Sequence, residues 1–455
     1  MSKLVKQTEL ELKEKIMDAL GRAVADGVLD EAPLPAFIIE VPKERQNGDY
    51  STNVAMAGAK AFHKAPRVIA QAIVDRLDLA DTVFDRAEIA GPGFINFFLG
   101  NRFYAAVLED LMAQGENYGR SDYGKGKRVL VEFVSANPTG PMHIGNARGG
   151  AIGDCLAAVL DWAGYDVQRE FYVNDAGNQI EKFATSLEVR YLQHYDPAVE
   201  LPEDAYKGVD IVEHAENFIK EYGDRYVDAP AEERRKALVD YALPLNIAKM
   251  QADMAKYRIE YDRWFTESTL HKDGELQQII DILTEKGLTY EKDGALWYKA
   301  GEYGEKYQPK KHKTKDGEEE GIKDEVLVRA NGNPTYFAAD IAYHRNKFLR
   351  GYTTLIDVWG ADHHGHVARM KGAMDAVGLD GEKLHVVLMQ LVRLVRDGEI
   401  VRMSKRSGKA IQLSDLLDEV PVDAARFFFN QREANTQMEF DLGLAIEQSS
   451  SNPVY

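Results

Sequence analysis

The sequence contains one cysteine, Cys155, and no apolar run close to the roughly 20 residues that cross a bilayer. A single cysteine excludes an internal disulfide framework and a zinc site built from several thiolates. The charged start, MSKLVKQTELELKEKI, lacks the apolar core of a secretion signal. We therefore expect a cytoplasmic protein that is not attached to a membrane.

Basic residues are also scarce, because 56 lysines and arginines stand against 74 aspartates and glutamates, a net charge of −18. Phosphate contacts dominate nucleic-acid affinity, so a surface coated for such binding would need the opposite sign. Composition alone favours an enzyme acting on small molecules, although an acidic protein can still carry one local basic stripe. With 455 residues, the chain is long enough for two or three domains.

The two ends of the chain differ in pattern from its middle. Residues 1–117 alternate helical and strand patterns, with a predicted helix at Val68–Leu77 and a strand interrupted by a Gly-Pro-Gly turn within Glu88–Leu99. This predicts a small α+β N-terminal domain. Residues 413–455 begin with amphipathic helices, which predicts a helical junction and the start of a helical bundle that is cut short.

The middle region, residues 118–412, has the pattern of a parallel sheet. Val129–Val134, VLVEFV, is an apolar run apart from Glu132, which is typical of a strand that is buried on both faces. A turn-rich loop, a helix and the strand DVQREFYV follow, which makes a βαβ unit. The predicted fold class is therefore α/β, with a doubly wound parallel sheet and a mostly helical insertion at about 174–325.

The segment Pro141–Asn146, PMHIGN, lies between the predicted buried strand and its helix. A helix N-terminus presents unpaired N–H groups and partial positive charge, which suit a phosphate. His143 can donate to phosphoryl oxygens, and Gly145 lets a flat purine lie close to the backbone. By itself this six-residue segment is a short signal. A histidine whose hydrogen bonds are made within a turn would explain it equally well.

A second segment, VRMSKRSG, follows a hairpin signal at Asp397-Gly398, a type I′ turn pair. It places Lys405 on a loop flanked by serine and glycine, more than two hundred residues after His143. A lysine presented in this way suits charge that grows as pyrophosphate leaves, because stabilisation must be greatest in the transition state. The alternative is a solvated basic loop without function.

Together, these segments resemble the HIGH and KMSKS signatures of class I aminoacyl-tRNA synthetases, in the expected order. The surrounding blocks resemble the arginyl-tRNA synthetase family: VEFVSANPTGPMHIGNARGGAIGD, REFYVNDAGNQ, YDRWFTES, DGALWY, PTYFAADIAYH, DVWGADHHGHV and DAARFFF. NGDYSTNVAM and GPGFINFFL resemble the additional N-terminal domain of that family, which contacts the elbow of the tRNA. The resemblance runs from about residue 5 to the last residue.

The resemblance implies ATP-dependent ligation of L-arginine to tRNA(Arg) through an arginyl-adenylate, with release of AMP and pyrophosphate. Mg²⁺ would accompany the nucleotide, and we expect no structural zinc and a monomeric protein. No protein nucleophile takes part, so catalysis should depend on positioning and electrostatics. Members of the family continue into a helical bundle that reads the anticodon, so we expect weak charging of tRNA if the chain ends here.

The resemblance also implies a role for individual residues. The expected catalytic residues are His143, Asn146 and Lys405. The expected ATP contacts are Pro141, His143, Gly145, Asn146, Gly360, His366, Met403, Ser404 and Lys405. The expected arginine contacts are Ser135, Asn137 and Asn146 at the backbone end, Glu132, Tyr336 and Asp340 at the guanidinium, and His363.

Several of these residues have plainer interpretations. Glu132 could be a strand carboxylate paired with a basic group of the core, because charge inside an apolar strand is usually paired. Asp340 could occupy a solvated helix position. The stretch 362–366, DHHGH, contains zinc-ligand types, but adjacent histidines rarely satisfy tetrahedral geometry, so we expect no metal there.

The sequence departs from the family signatures at three positions. Asn146 replaces the second histidine of HIGH, and its amide can form hydrogen bonds but cannot carry the positive charge of an imidazolium. Arg402 replaces the first lysine of KMSKS, and Arg406 stands at its final serine. The competing hypotheses are another class I synthetase and a non-catalytic tRNA-binding relative, and the latter predicts erosion of HIGN or MSK.

Overall fold

The computed structural model describes residues 3–33, 36–308, 312–313, 319–401 and 411–455. Contacts between residues divide the chain into two units, Met1–Tyr123 with Trp162–Gly164, and Gly124–Asp161 with Tyr165–Tyr455. Among the described residues, no helix combines the length and apolar character that crossing a membrane requires.

The first unit is built on an antiparallel sheet. In chain order it contains α1 (Lys3–Ala25), β1 (Ile39–Glu40), β2 (Tyr50–Thr52), α2 (Val54–Gly58), α3 (Pro66–Val74), β3 (Phe84–Ala90), β4 (Phe94–Leu99) and α4 (Asn101–Gln114). The strand order is β1-β2-β4-β3. The predicted Gly-Pro-Gly turn joins β3 to β4, and Gly93 has a φ of 139°, which favours glycine. The α+β N-terminal domain is confirmed.

The second unit is larger and mixed in architecture. Its elements to the end of the predicted insertion are β5 (Arg128–Glu132), α5 (Ile144–Trp162), β6 (Asp166–Val173), α6 (Asn178–Gln193), α7 (Val209–Tyr222), α8 (Ala231–Lys256), β7 (Arg263–Thr266), α9 (Glu267–Lys272), α10 (Glu275–Glu285), β8 (Thr289–Lys292), β9 (Ala295–Tyr298), α11 (Gly301–Gly304), β10 (His312–Lys313) and β11 (Glu319–Glu320). They are followed by β12 (Glu325–Val328), α12 (Tyr336–Leu349), β13 (Thr354–Gly360), α13 (His364–Ala376), β14 (Leu384–Met389), β15 (Val392–Arg396), β16 (Glu399–Ile400), α14 (Leu413–Glu419), α15 (Val422–Asn430), β17 (Met438–Asp441) and α16 (Leu442–Ile446).

Five parallel strands form the central sheet of this unit, in the order β14-β13-β5-β6-β7. Along β5, Val129 and Val131 belong to one buried cluster with α5, whereas Leu130 belongs to another with α12. Successive side chains point to opposite faces, and helices cover both faces, so Val129, Leu130 and Val131 are all apolar and buried. The predicted doubly wound α/β fold is confirmed.

Two stretches differ from the sequence prediction. β7 lies inside the predicted insertion at about 174–325 but forms the edge strand of the central sheet, and β8, β9 and β12 form a separate antiparallel sheet. In residues 413–455, β17 pairs in parallel with β15, and α14 and α15 share a core with α5. Strands of four residues carry too little periodicity to be recognised before their distant partners are known.

Replacing Gly153 with alanine should lower the melting temperature by a few degrees. A Cβ at Gly153 of α5 would lie 2.2 Å from Phe133 Cγ, and overpacking of this kind costs about 1–3 kcal/mol. The control is Gly21→Ala in α1, where a Cβ meets no atom within 4 Å and alanine favours the helix. Calorimetry measures both, and an unchanged melting temperature for Gly153→Ala would contradict the close contact.

Candidate active site

The loop after β5 has an unusual backbone. Val134 and Ser135 have φ values of 72° and 43°, a region that side-chain-bearing residues rarely adopt. Such strain persists only where the surroundings fix it. Here the Ser135 hydroxyl donates to Glu132 Oε1 at 2.7 Å and accepts from the backbone N–H of Tyr172 at 3.1 Å. These bonds hold the loop where it leaves the carboxyl edge of the sheet.

His143 directly precedes α5 and is exposed. Its backbone N–H donates to Asn146 Oδ1 at 2.9 Å, which is one half of a capping box, formed by the third helical residue. Asn146 therefore has a structural task that needs no imidazolium. No atom lies within 4 Å of a Cβ built on Gly145, so the backbone there faces open space.

The segment 402–410 contains Met403, Ser404 and Lys405, and all three lie outside the described residues. Its two described flanks have defined positions. Before it, Asp397 and Gly398 have φ values of 53° and 79°, as a type I′ turn requires, so the predicted hairpin is confirmed. After it, Gln412 forms an antiparallel bridge with His143, and Leu413 N–H donates to the Met142 carbonyl at 2.9 Å.

Arg148, one turn into α5, is a buried residue that the sequence reasoning did not single out. It is fully buried and donates to the carbonyls of Gln390, Glu433 and Thr436 at 2.8–3.0 Å. Burial lowers the pKa of its guanidinium. The helix that follows His143 is thereby tied to the start of β15, the strand that leads into the hairpin.

The predicted residues that the structure describes, with the exception of Gly145, line two cavities. The His143 cavity has a volume of about 1070 Å³, and the predicted residues in its lining are Asn137, Pro141, His143 and Asn146. The Asp340 cavity has a volume of about 940 Å³, and the predicted residues in its lining are Glu132, Ser135, Asn137, Tyr336, Asp340, Gly360, His363 and His366. Asn137 and Gln179 line both, so the cavities adjoin.

The distribution differs from the expectation in two respects. Gly360 and His366, expected beside ATP, line the same cavity as the expected arginine contacts. Gly145 lines neither cavity.

Helix α12 forms one wall of the Asp340 cavity. It begins at Tyr336 after Thr335, whose hydroxyl accepts from Ala338 N–H at 3.4 Å, so Tyr336 and Asp340 lie one turn apart on one face. His366 Nε2 lies 3.2 Å from Asp340 Oδ2. His363 is more exposed and lies 3.6 Å from Asp362. Together, α12 and these two histidines give the cavity a carboxylate, a phenol and two imidazoles.

Glu132 at the end of β5 is buried and forms ion pairs within the core. Its carboxylate accepts from Lys347 of α12, which also donates to Asp357 Oδ1 at 2.8 Å. Burial raises the pKa of Glu132, and Lys347 opposes that effect. The plainer interpretation of Glu132, a strand carboxylate paired with a core cation, therefore describes its contacts. Because Glu132 also lines the Asp340 cavity, its arginine contact stays a prediction.

Asp357 of β13 and His344 of α12 complete this buried group, and the sequence reasoning missed both together with Lys347. His344 Nε2 lies 2.8 Å from Asp357 Oδ2, and its Nδ1–H donates to the Asp340 carbonyl at 2.7 Å. Burial alone would raise the pKa of Asp357, but Lys347 and His344 hold it below its usual value. An aspartate inside the apolar run TLIDVW was the available signal.

A metal site was considered for the stretch 362–366. Among the described residues, the group whose ligand atoms lie close enough for one ion is Glu132, His344 and Asp357, not this stretch. The ammonium of Lys347 already donates to Glu132 and Asp357, two of those three residues. Zinc at 362–366 gains no support from this arrangement.

Comparison with known families and proteins now adds to the geometry. Residues 10–99 match the family described as the arginyl-tRNA synthetase N-terminal domain, and residues 107–447 match the class I tRNA synthetase (R) catalytic domain. The arginine–tRNA ligase of Caldanaerobacter subterraneus subsp. tengcongensis is 53% identical over 456 residues, covering 100% of this chain and 78% of that protein. That of Acetivibrio thermocellus is 52% identical with the same coverage.

Solved structures agree with these matches. A putative arginyl-tRNA synthetase from Campylobacter jejuni has a TM-score of 0.68 and 34% identity, covering 78% of this chain and 74% of its own. The Thermus thermophilus arginyl-tRNA synthetase has a TM-score of 0.57 at 22% identity, covering 96% and 78%, which supports the fold alone. With both family matches, two relatives above 50% identity and the parallel sheet in place, the chain belongs to the arginyl-tRNA synthetase family of class I.

Proposed function

We propose that this protein joins L-arginine to tRNA(Arg) in two steps, with ATP as the energy source and an arginyl-adenylate between them. The observation that carries the proposal is the pair of adjoining cavities, which meet at Asn137 and Gln179. One contains the helix N-terminus at His143, and the other contains the carboxylate and aromatic wall of α12. An anion and a guanidinium therefore each have a complementary site within reach of the other.

Arginine would occupy the Asp340 cavity. Its guanidinium is a planar fork of donors that carboxylates accept well, which suits Asp340 and Glu132, with Tyr336 beside them. Ser135, Asn137 and Asn146 would hold the amino and carboxylate end, and His363 is a further contact. Site groups that bond a substrate guanidinium are left unpaired by an analogue without it, which rejects such analogues by ~10⁴–10⁵.

ATP would place its phosphates at the start of α5, where the helix dipole and unpaired N–H groups favour negative charge. His143 would donate to the phosphate, and Lys405, which lies outside the described residues, would approach from the segment that ends beside His143 at Gln412. We assign further nucleotide contacts to Pro141, Gly145, Asn146, Gly360, His366, Met403 and Ser404.

The chemistry needs no protein nucleophile. An oxygen of the arginine carboxylate attacks the α-phosphorus, the bond to the bridging oxygen breaks, and pyrophosphate leaves with the electron pair. The terminal ribose hydroxyl of the tRNA then attacks the arginyl carbonyl, AMP leaves, and the hydroxyl proton passes to the departing phosphate. His143 and Lys405 would stabilise the charge on the phosphate in the first step.

Mg²⁺ is bound in such sites through substrate phosphates and one or two carboxylates, and it neutralises phosphate charge when bound. Asp210, Glu213 and Asp253 line the His143 cavity, and one of these carboxylates would hold the ion together with the phosphates. We assign no role to zinc.

The tRNA would be held by more than the active site. We propose that residues 1–117 contact the elbow of tRNA(Arg), that 118–412 carry the catalysis, and that 413–455 join the catalytic part to an anticodon-reading part. We further propose that the protein acts as a monomer in the cytoplasm.

Pyrophosphate exchange tests the proposal. With arginine, ATP and Mg²⁺, the protein should move label from pyrophosphate into ATP, and tRNA(Arg) should increase the rate, because members of the family usually need it for activation. Lysine in place of arginine is the control and should give no exchange. Exchange that is absent with arginine both with and without tRNA would favour a non-catalytic tRNA-binding relative.

A further inference from the structure

Three acidic residues form a row across the central sheet. Asp357 of β13 pairs in register with Glu132 of β5, and Glu132 pairs in register with Glu170 of β6. Register partners on parallel strands point to the same face, and neighbouring strands are only about 4.8 Å apart. All three residues are buried, with exposures of 0%, 6% and 0%. Like charges so close in a low dielectric cannot all ionise unless cations compensate them.

Helix α12 and its C-cap residue Arg350 supply cations to this row. Lys347, fully buried, donates to both Glu132 and Asp357, and Arg350 forms a two-bonded pair with Glu170, including Nη2 to Oε1 at 2.7 Å. Of the three carboxylates, Glu132 lines the Asp340 cavity, whereas Glu170 and Asp357 do not. Lys347 therefore forms an ion pair with the one member of the row that lines this cavity.

The same lysine is linked to two walls of that pocket. Lys347 engages Glu132 Oε2, which leaves Oε1 to accept from Ser135, the residue held at a φ of 43°. Through Asp357 and His344, the lysine is also connected to the carbonyl of Asp340. The ammonium of Lys347 is thus linked by hydrogen bonds both to the loop that contains Ser135 and to the part of α12 that contains Asp340.

We propose that Lys347 is a positioning residue for arginine: its ammonium keeps Glu132 ionised and oriented at the wall of the Asp340 cavity. The proposal rests on the proposed contact between Glu132 and the substrate guanidinium. Without Lys347, two buried carboxylates would share a proton, and Glu132 would present a neutral acid to the substrate. The titratable groups around Glu132 are Lys347, His344, Asp340 and Tyr343 on α12, Asp357 on β13, Glu170 and Tyr172 on β6, and Tyr261 just before β7.

Lys347→Met is the direct test, with arginine and ATP binding measured by titration calorimetry. We expect the dissociation constant for arginine to rise about 10–100-fold near neutral pH, the range for losing a charged hydrogen-bond partner. ATP binding should change less than about twofold. Raising the pH should restore arginine binding in this variant, because the shared proton leaves and Glu132 ionises. A merely structural role would weaken both ligands and give no recovery with pH.

Arg350→Met is the matched control. It removes the two-bonded partner of Glu170 in the same row, at the C-cap of the same helix, and leaves Glu170 with Tyr343 and Arg263. It should therefore lower the melting temperature while arginine binding stays within about twofold. If Arg350→Met weakens arginine binding as much as Lys347→Met does, general damage to the row explains the effect and the proposal is overturned.

Two further variants separate the possible failures. Glu132→Gln that leaves arginine binding unchanged would overturn the substrate contact of Glu132, and with it this proposal, while pyrophosphate exchange decides the ligase activity separately. If Glu132→Gln weakens arginine binding but Lys347→Met does not, the role of Lys347 is overturned and the contact of Glu132 with arginine stands. The double variant, Glu132→Gln with Lys347→Met, removes one charge of each sign and tests the idea even if Lys347→Met does not fold. It should bind arginine as Glu132→Gln does, and much weaker binding would contradict action through Glu132.

Discussion

Replacing His143 with alanine should lower the rate of pyrophosphate exchange by about 10²–10³-fold, the scale of losing one preorganised donor to a developing charge. Arginine binding should stay within about twofold, because His143 lines the other cavity. The rate falls more than binding because His143 would donate most strongly to the phosphate in the transition state, when charge builds up there. The same hydrogen bond contributes less to the binding of the substrates in the ground state.

Single-turnover measurement of adenylate formation separates this effect from changes in binding. The control is His385→Ala, an exposed histidine on β14 that lines neither cavity, and it should leave the rate unchanged. Equal rates for His143→Ala and the unchanged protein would remove His143 from the catalytic machinery.

Asp340→Asn should lower kcat/KM for arginine by about 10²–10³-fold, since removing one partner of a desolvated charge pair costs about 2–5 kcal/mol. The substitution keeps the shape of the side chain but removes the charge that faces a guanidinium. The ratio of kcat/KM for arginine to that for citrulline, its neutral isostere, should also be smaller in this variant than in the unchanged protein. Steady-state aminoacylation with each amino acid measures both effects.

Asp362→Asn is the matched control for this substitution. Asp362 is exposed, directly precedes His363 of the same cavity and does not itself line that cavity, so kcat/KM should stay within about twofold. If Asp340→Asn lowers kcat alone, with KM for arginine and the preference for arginine over citrulline both unchanged, Asp340 does not contact the guanidinium.

Local sequence was sufficient wherever one segment carried its own signal. The apolar run at Val129–Val134, the following helix and the strand after it predicted the βαβ unit, and the Asp397-Gly398 pair predicted a type I′ turn. These predictions held because strand periodicity, helix termini and turn chemistry are properties of neighbouring residues.

Partners that are distant in sequence were a different matter. The short strand β7 and the pairing of β17 with β15 could not be recognised in their own residues. Likewise, Lys347 is an ordinary helix residue by sequence. Nothing near it indicates that its ammonium binds both Glu132, which lies 215 residues away, and Asp357, which lies 10 residues away.

The residues alone determined the family of this protein and its α/β sheet, and they predicted the members of its candidate site, because motifs, periodicity and turn signals depend on neighbouring residues. Only the tertiary structure decided that most of the expected contacts it describes divide between two adjoining cavities, that Asn146 caps α5, and that Glu132 forms an ion pair with Lys347 in the core. The physical reason is that burial and charge pairing depend on which side chains the sheet register brings together, and register is set by the whole fold.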